Sequence, residues 1–278
     1  MNAAHFGQMV SVEFRKLLSR TLAKVGLGLT ALTGLIPPVV IALFLWLFEY
    51  WGAPLDAPPG LAAKAPYYAL FIRNIFLTPV FLITLSALSI AGEWQTRTLR
   101  EDLLRPVPRW SILMSKWLAL VGWAALSLCL TFVGGAIMSA VIWGFSGNWL
   151  GTISAYAFCV ATDAAFLALV FLVAVVTRSV PGAILATFVP YSIDIMLQMY
   201  LITIGWFPRQ LDKFVETAQP WLPSSAFFLW NTLAMWASAD PASGVVIAFP
   251  TFSLISFGLL LFGCLGLALV AFQKIDVP

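Results

Sequence analysis

Charge is what this sequence has least of. Asp, Glu, Lys and Arg make up 10% of its 278 residues, against about 25% in a soluble protein. So few charges cannot coat a separate soluble domain, and the net charge of +3 is too small to point to nucleic acid. Histidine is nearly absent too. The single one, His5, lies in the N-terminal tail; this excludes a Ser/His or Cys/His nucleophile in the apolar body and leaves no His-based metal site. The three cysteines, Cys129, Cys159 and Cys264, fall inside apolar runs without disulfide or metal-motif spacing, so they read as small buried hydrophobes. No Gly-x-x-x-x-Gly-Lys-Ser/Thr phosphate loop surrounds any lysine, which excludes nucleotide binding of that kind in this chain.

What is abundant is hydrocarbon. Hydrophobic residues make up 61% and the mean hydropathy is +0.95, a composition that makes the chain a polytopic, all-α membrane protein. Six apolar runs are placed near 25–48, 67–91, 112–143, 153–176, 182–206 and 245–272, each long enough for the roughly 20 residues that cross a bilayer. The third exceeds a span, so its first residues are assigned to the preceding loop. Thr78-Pro79 and Pro190 interrupt the second and fifth runs and predict kinks. Residues 1–24 form a first unit and 25–278 the membrane domain. In the former, Val10, Phe14, Leu17, Leu22 and Val25 make an apolar stripe opposite Glu13, Arg15, Lys16, Arg20 and Lys24, the pattern of an amphipathic helix in the interface plane. A secretory leader fits less well, because the following run exceeds a usual leader core of about 7–15 residues.

The basic residues are unevenly shared. Arg15, Lys16, Arg20, Lys24, Arg97, Arg100, Arg105, Arg109, Lys116, Arg178 and Lys274 fall on one side of this topology, and Lys64, Arg73, Arg209 and Lys213 on the other. The positive-inside rule then puts both termini and the 92–116 loop in the cytoplasm. Between the fifth and sixth runs, 221–236 is aromatic but too short to span. It reads as an interfacial or re-entrant helix pair at the outer mouth.

The loop GEWQTRTLREDLLRPVPRWSILMSK is a dense polar island between two apolar runs. Pro106 and Pro108 stop a helix and turn the chain, which leaves Thr98–Leu104 as a short surface helix. Glu93, Thr98-Leu99, Pro106-Val107, Arg109 and Lys116 stand in an order and spacing that resembles the signature of ABC-2-type permeases, the membrane subunits of one class of ATP-binding-cassette transporter. Arg97 stands where that family usually has Gly, and Pro108 where Ser is common. The AFQKID ending is similar as well.

The resemblance implies that 98–104 is a cytoplasmic coupling helix and that the N-terminal helix lies beside a separate ATPase, which would carry the ATP and Mg. Glu93, Thr98, Arg100, Glu101, Asp102, Pro106, Arg109 and Lys116, with Glu13, Arg15 and Lys16, become candidate ATPase-coupling residues. Trp221, Pro223, Phe227, Phe228 and Trp230 become candidates for an outer gate. A second permease chain, identical or closely related, is implied, in a bacterial cytoplasmic (inner) membrane, with export of an amphipathic or hydrophobic substrate as the expected direction.

Three ionisable residues fall inside the apolar runs: Arg73, Asp163 and Asp194. Placing such a group at mid-membrane costs about 2.5–3.5 kcal/mol on insertion scales, so they should face the bundle interior. Pairing of Arg73 with Asp163 or with Asp194 is one reading, and a polar substrate pathway is the other. The contexts Thr162-Asp163 and Tyr191-Ser-Ile-Asp194 lack the Tyr-Asp and Gly-x-Gly-Asp settings of intramembrane aspartyl proteases. Two further functions compete with an ATP-driven permease. One is a secondary transporter using Asp163 and Asp194; the other is a membrane anchor or assembly factor that transports nothing.

Overall fold

The computed structural model describes residues 3–52, 60–104, 107–204 and 251–274. Among these, all regular structure is helical. Helix α1 is Ala3–Ser19 and α2 is Thr21–Tyr50, separated by Arg20 in an extended conformation. Helix α3 is the continuous run Leu61–Gln95, followed by the short α4, Thr98–Leu103. Then come α5 (Arg109–Trp143), α6 (Trp149–Thr177) and α7 (Val180–Ile204). The last, α8, runs through Thr251–Gly258, Leu259–Cys264 and Leu265–Gln273. Six of these helices are long and apolar enough to cross a membrane: α2, α3, α5, α6, α7 and α8. Residues 221–236, with Trp221, Pro223, Phe227, Phe228 and Trp230, lie outside the described residues, as does Pro106.

Helix α5 is the mast of the bundle. It packs against α1, α2, α3 and α6, and its 35 residues reach about 52 Å, well beyond roughly 30 Å of hydrocarbon. The expected loop at its start is therefore helix from Arg109 onward. The reason is α1. Phe6 meets Trp110 with ring centroids 6.0 Å apart, Glu13 meets Lys116 at 2.9 Å, and Phe14 lies beside Gly122. Helix α1 thus climbs along the first turns of α5 and covers them. Met9, Phe14, Leu17 and Leu18 pack into the main core, so the apolar stripe of α1 is taken up by protein rather than by lipid.

Above α1, α2 continues up the same mast. Trp123 Nε1 donates to the Ala23 carbonyl at 3.2 Å, and Thr131 Oγ1 donates to the Thr30 carbonyl at 2.8 Å. Gly34 and Gly135 let the two backbones touch. A Cβ on Gly34 would stand 2.2 Å from the Thr131 carbonyl oxygen, so neither helix has room for a side chain there.

Helix α3 widens into π turns at Arg73–Leu77 and Leu88–Gly92. The first precedes Pro79, which has no N–H to give the preceding turn. In that turn the Tyr191 hydroxyl of α7 donates to the Asn74 carbonyl at 3.0 Å. The helix runs on past Pro79 because a neighbour supplies a donor to the widened turn.

Candidate functional site

The apolar run of α3 ends at Ala91, and two residues on, past the hydrocarbon, Glu93 begins a buried charge network. Glu93 is 4% exposed and Lys116 1%. Lys116 Nζ donates to Glu93 Oε2 at 2.7 Å and to Glu13 Oε1 at 2.9 Å. Lys16 Nζ lies 2.5 Å from Glu93 Oε1, and Arg20 3.7 Å from the same oxygen. The charges alternate in sign from Arg20 and Lys16 through Glu93 and Lys116 to Glu13, which repays the dehydration of each member. Burial alone raises the Glu93 carboxyl, but Lys116 and then Lys16 outweigh it, so Glu93 stays ionised below its ordinary range. Three elements, α1, α3 and α5, are held together at this point.

From Glu93 the chain turns into α4. The Thr96 hydroxyl donates to the Gly92 carbonyl at 3.0 Å, and the Thr98 hydroxyl donates to the Glu93 backbone carbonyl at 3.4 Å. Arg97 between them has φ +62°. That is the left-handed region where glycine is the usual residue, so the turn keeps its shape and Arg97 carries the strain. Leu99 is buried and Leu103 packs on the core, while Glu101 is exposed. Helix α4 is therefore docked by its apolar side with Glu101 turned outward.

Two further contacts tie this segment to the far helices. The Arg178 guanidinium stands 5.0 Å above the Trp94 ring, a cation–π contact. Arg178 closes α6 in a left-handed conformation, its N–H donating to the Ala174 carbonyl at 3.1 Å. Arg109 Nη1 donates to the Gln273 carbonyl at the end of α8, at 3.0 Å. Between 93 and 116, then, the chain touches the basic ends of α1, α5, α6 and α8.

The structure brings Glu13, Lys16, Glu93 and Lys116 into one cluster and leaves Arg15 exposed on the outer face of α1. Thr98 serves the turn itself. The backbones of Arg100 and Asp102 belong to α4, and their side chains lie outside the described set. Glu93 spends its carboxylate inside the chain, on Lys116 and Lys16. Arg20, Trp94 and Arg178 were not singled out. Trp94 and Arg178 lie 84 positions apart, and no local pattern marks such a pair.

A second polar knot sits within the apolar zone. Arg73, fully buried, donates from Nη2 to Asp163 Oδ2 at 2.9 Å and to Ser127 Oγ at 2.7 Å, and from Nη1 to Asn74 Oδ1 at 2.6 Å. Asn74 Nδ2 reaches Cys159 Sγ at 3.0 Å. Of the two carboxylates open to Arg73, Asp163 is the one placed against it. Asp194 is half-buried on α7, near Tyr191. Arg73 thereby joins α3 to α5 and α6 through buried groups.

Comparison with known proteins adds the following. The family model described as ABC-2 family transporter protein matches residues 9–194, a stretch that contains both polar clusters. The uncharacterized protein YhcI of Bacillus subtilis is 31% identical over 72 residues, which is 26% of this chain and 23% of that protein. The aligned part of the chain thus spans less than a quarter of that relative's length.

Proposed function

Because this chain belongs to the ABC-2 family of transporter proteins, a family of transmembrane permeases, we propose that it forms the substrate pathway of a transporter driven by a separate ATP-binding-cassette ATPase. The ATPase carries the ATP and Mg and docks at the basic end, which is cytoplasmic. Two permease chains, identical or closely related, face each other in the bacterial inner membrane. The stroke exports an amphipathic or hydrophobic substrate.

The observation that carries this reading is the wiring of the 93–116 segment. A docked helix, α4, presents Glu101 outward and is flanked by Glu93, Trp94, Arg109 and Lys116, which grip α1, α5, α6 and α8. A push on α4 reaches all of these helices through short contacts instead of dissipating in a solvated loop. Coupling then divides into two roles. Exposed groups such as Glu101 meet the ATPase, and buried ones such as Glu93 and Lys116 transmit its movement.

The test is to purify the chain from a host with its neighbouring genes intact and to ask whether an ATPase accompanies it. That ATPase's hydrolysis rate should depend on the permease. Glu101→Lys should weaken the association, whereas Trp94→Ala should leave it intact and uncouple hydrolysis from transport. Transport by the chain alone in liposomes under a proton gradient would overturn the proposal in favour of an ion-driven carrier. The carrier reading is disfavoured by the Arg73–Asp163 pair, which occupies one of its two carboxylates.

A further inference from the structure

We propose that the corner between α1 and α2 is a binding surface for anionic phospholipid headgroups, centred on Lys24. The outer face of α2 is an uncovered stripe that begins at Lys24 and continues through Val25, Leu29, Leu32 and Ile36 to Trp46, all exposed. From Lys24 to Trp46 the helix rises about 33 Å, 22 residues at about 1.5 Å each, close to the roughly 30 Å of hydrocarbon in a bilayer. Trp46, Tyr50 and Trp51, exposed at the far end, form the aromatic border there. Lys24 therefore stands at the near border, at the level of the lipid phosphates.

The charge balance at this corner selects the lipid. Lys16, Arg20 and Lys24 follow one another at four-residue steps, with Arg15 exposed beside them. Among the described residues, the carboxylates nearby are Glu13, paired with Lys116, and Glu93, shared by Lys116, Lys16 and Arg20, which leaves Lys24 and Arg15 as the uncompensated charges. Neither Lys24 nor Arg15 has an acidic partner among the described residues. The corner thus presents a surplus of positive charge at the depth where anionic headgroups supply the complement. An acidic protein surface would have to rest on the hydrocarbon boundary to reach Lys24, so the position favours lipid. The inference needs only that α2 spans the bilayer and is independent of the proposed ATPase.

The test uses the purified full-length chain in detergent, titrated with phosphatidylglycerol or with phosphatidylcholine of the same acyl chains. Bound lipids are counted by native mass spectrometry, and the thermal midpoint is followed in parallel. The natural chain should prefer phosphatidylglycerol. Each cation near an anionic headgroup is worth about a fivefold factor in binding, so Lys24→Gln should reduce the preference about fivefold. Lys24→Glu should abolish it and Lys24→Arg retain it. Lys64→Gln, an exposed lysine at the other end of the bundle, should change nothing. Unaltered midpoints in phosphatidylcholine would show that the variants are folded. Absence of any preference in the natural chain, full preference in Lys24→Glu, or an equal loss in Lys64→Gln would each overturn the proposal.

Discussion

At Glu93, dehydration and two ammonium groups act on one carboxylate, and the ammonium groups prevail. The consequence for stability has a definite sign. A carboxyl whose folded value lies below its unfolded value of about 4.3 contributes stability that is fully present above that pH. The contribution is lost as pH falls through the folded value. The docking of α1 should therefore be constant through the neutral range and weaken below about pH 4. Glu93→Gln should flatten this acid slope and cost about 2–3 kcal/mol at neutral pH. The loss is smaller than for a stranded charge because Lys116 keeps Glu13 and the Lys16 side chain is already exposed to solvent. Thermal unfolding of both forms between pH 3 and 8 checks slope and offset together. Arg97 offers the opposite case, a residue that costs stability where it stands. Its φ of +62° carries a penalty of about 1–2 kcal/mol, against about 0.5–1 kcal/mol for the extra chain entropy of glycine. Arg97→Gly should raise stability by about 0.5–1 kcal/mol, read as a higher thermal midpoint.

Among the elements, α2 and α5 depend on the absence of side chains where they cross. Gly34→Ala would drive a methyl into the Thr131 carbonyl and separate the helices at the Thr131–Thr30 hydrogen bond. Overpacking of this kind costs about 1–3 kcal/mol. Gly28→Ala on the same helix meets open space and should gain up to about 1 kcal/mol from helix propensity. Comparing the two variants by thermal unfolding separates contact from propensity. The two glycines look alike in the sequence, since neither interrupts the apolar run. Spans, the end of the second run and the short helix after it were legible because hydropathy and proline act locally. The placement of α1 was not. Its amphipathic stripe fits lipid and protein equally well, and only the overlong α5, which offers Trp110 to Gly122 as a surface, decides between them. The pairings Glu93–Lys116 and Trp94–Arg178 were hidden for the same reason, and the sequence left Arg73 open to either Asp163 or Asp194. Each joins helices distant in sequence, and composition says that such charges need partners without saying which.

For the whole molecule, the two polar knots divide the work of holding the bundle. The cluster at Glu93 joins α1, α3 and α5 at one end of the bundle, while Arg73 binds α3, α5 and α6 within the apolar zone. If the deep knot is a clamp, its value lies in fixing three spans, and its charge is dispensable. Removing one partner should then be far worse than removing both. Arg73→Met alone strands Asp163, and Asp163→Leu alone strands Arg73, each at about 3–5 kcal/mol. The double variant Arg73→Met/Asp163→Leu leaves no stranded ion and should recover most of that loss, as apolar replacements of buried pairs often do. Thermal unfolding of the two single variants and the double completes the cycle. The same double variant separates the two transport readings. An ATP-driven permease that uses the pair only as a clamp retains permease-dependent ATPase activity, whereas a carrier that loads protons or ions on Asp163 loses all transport. Recovery of stability together with loss of ATPase-coupled transport would move Asp163 from the scaffold of the bundle into its pathway.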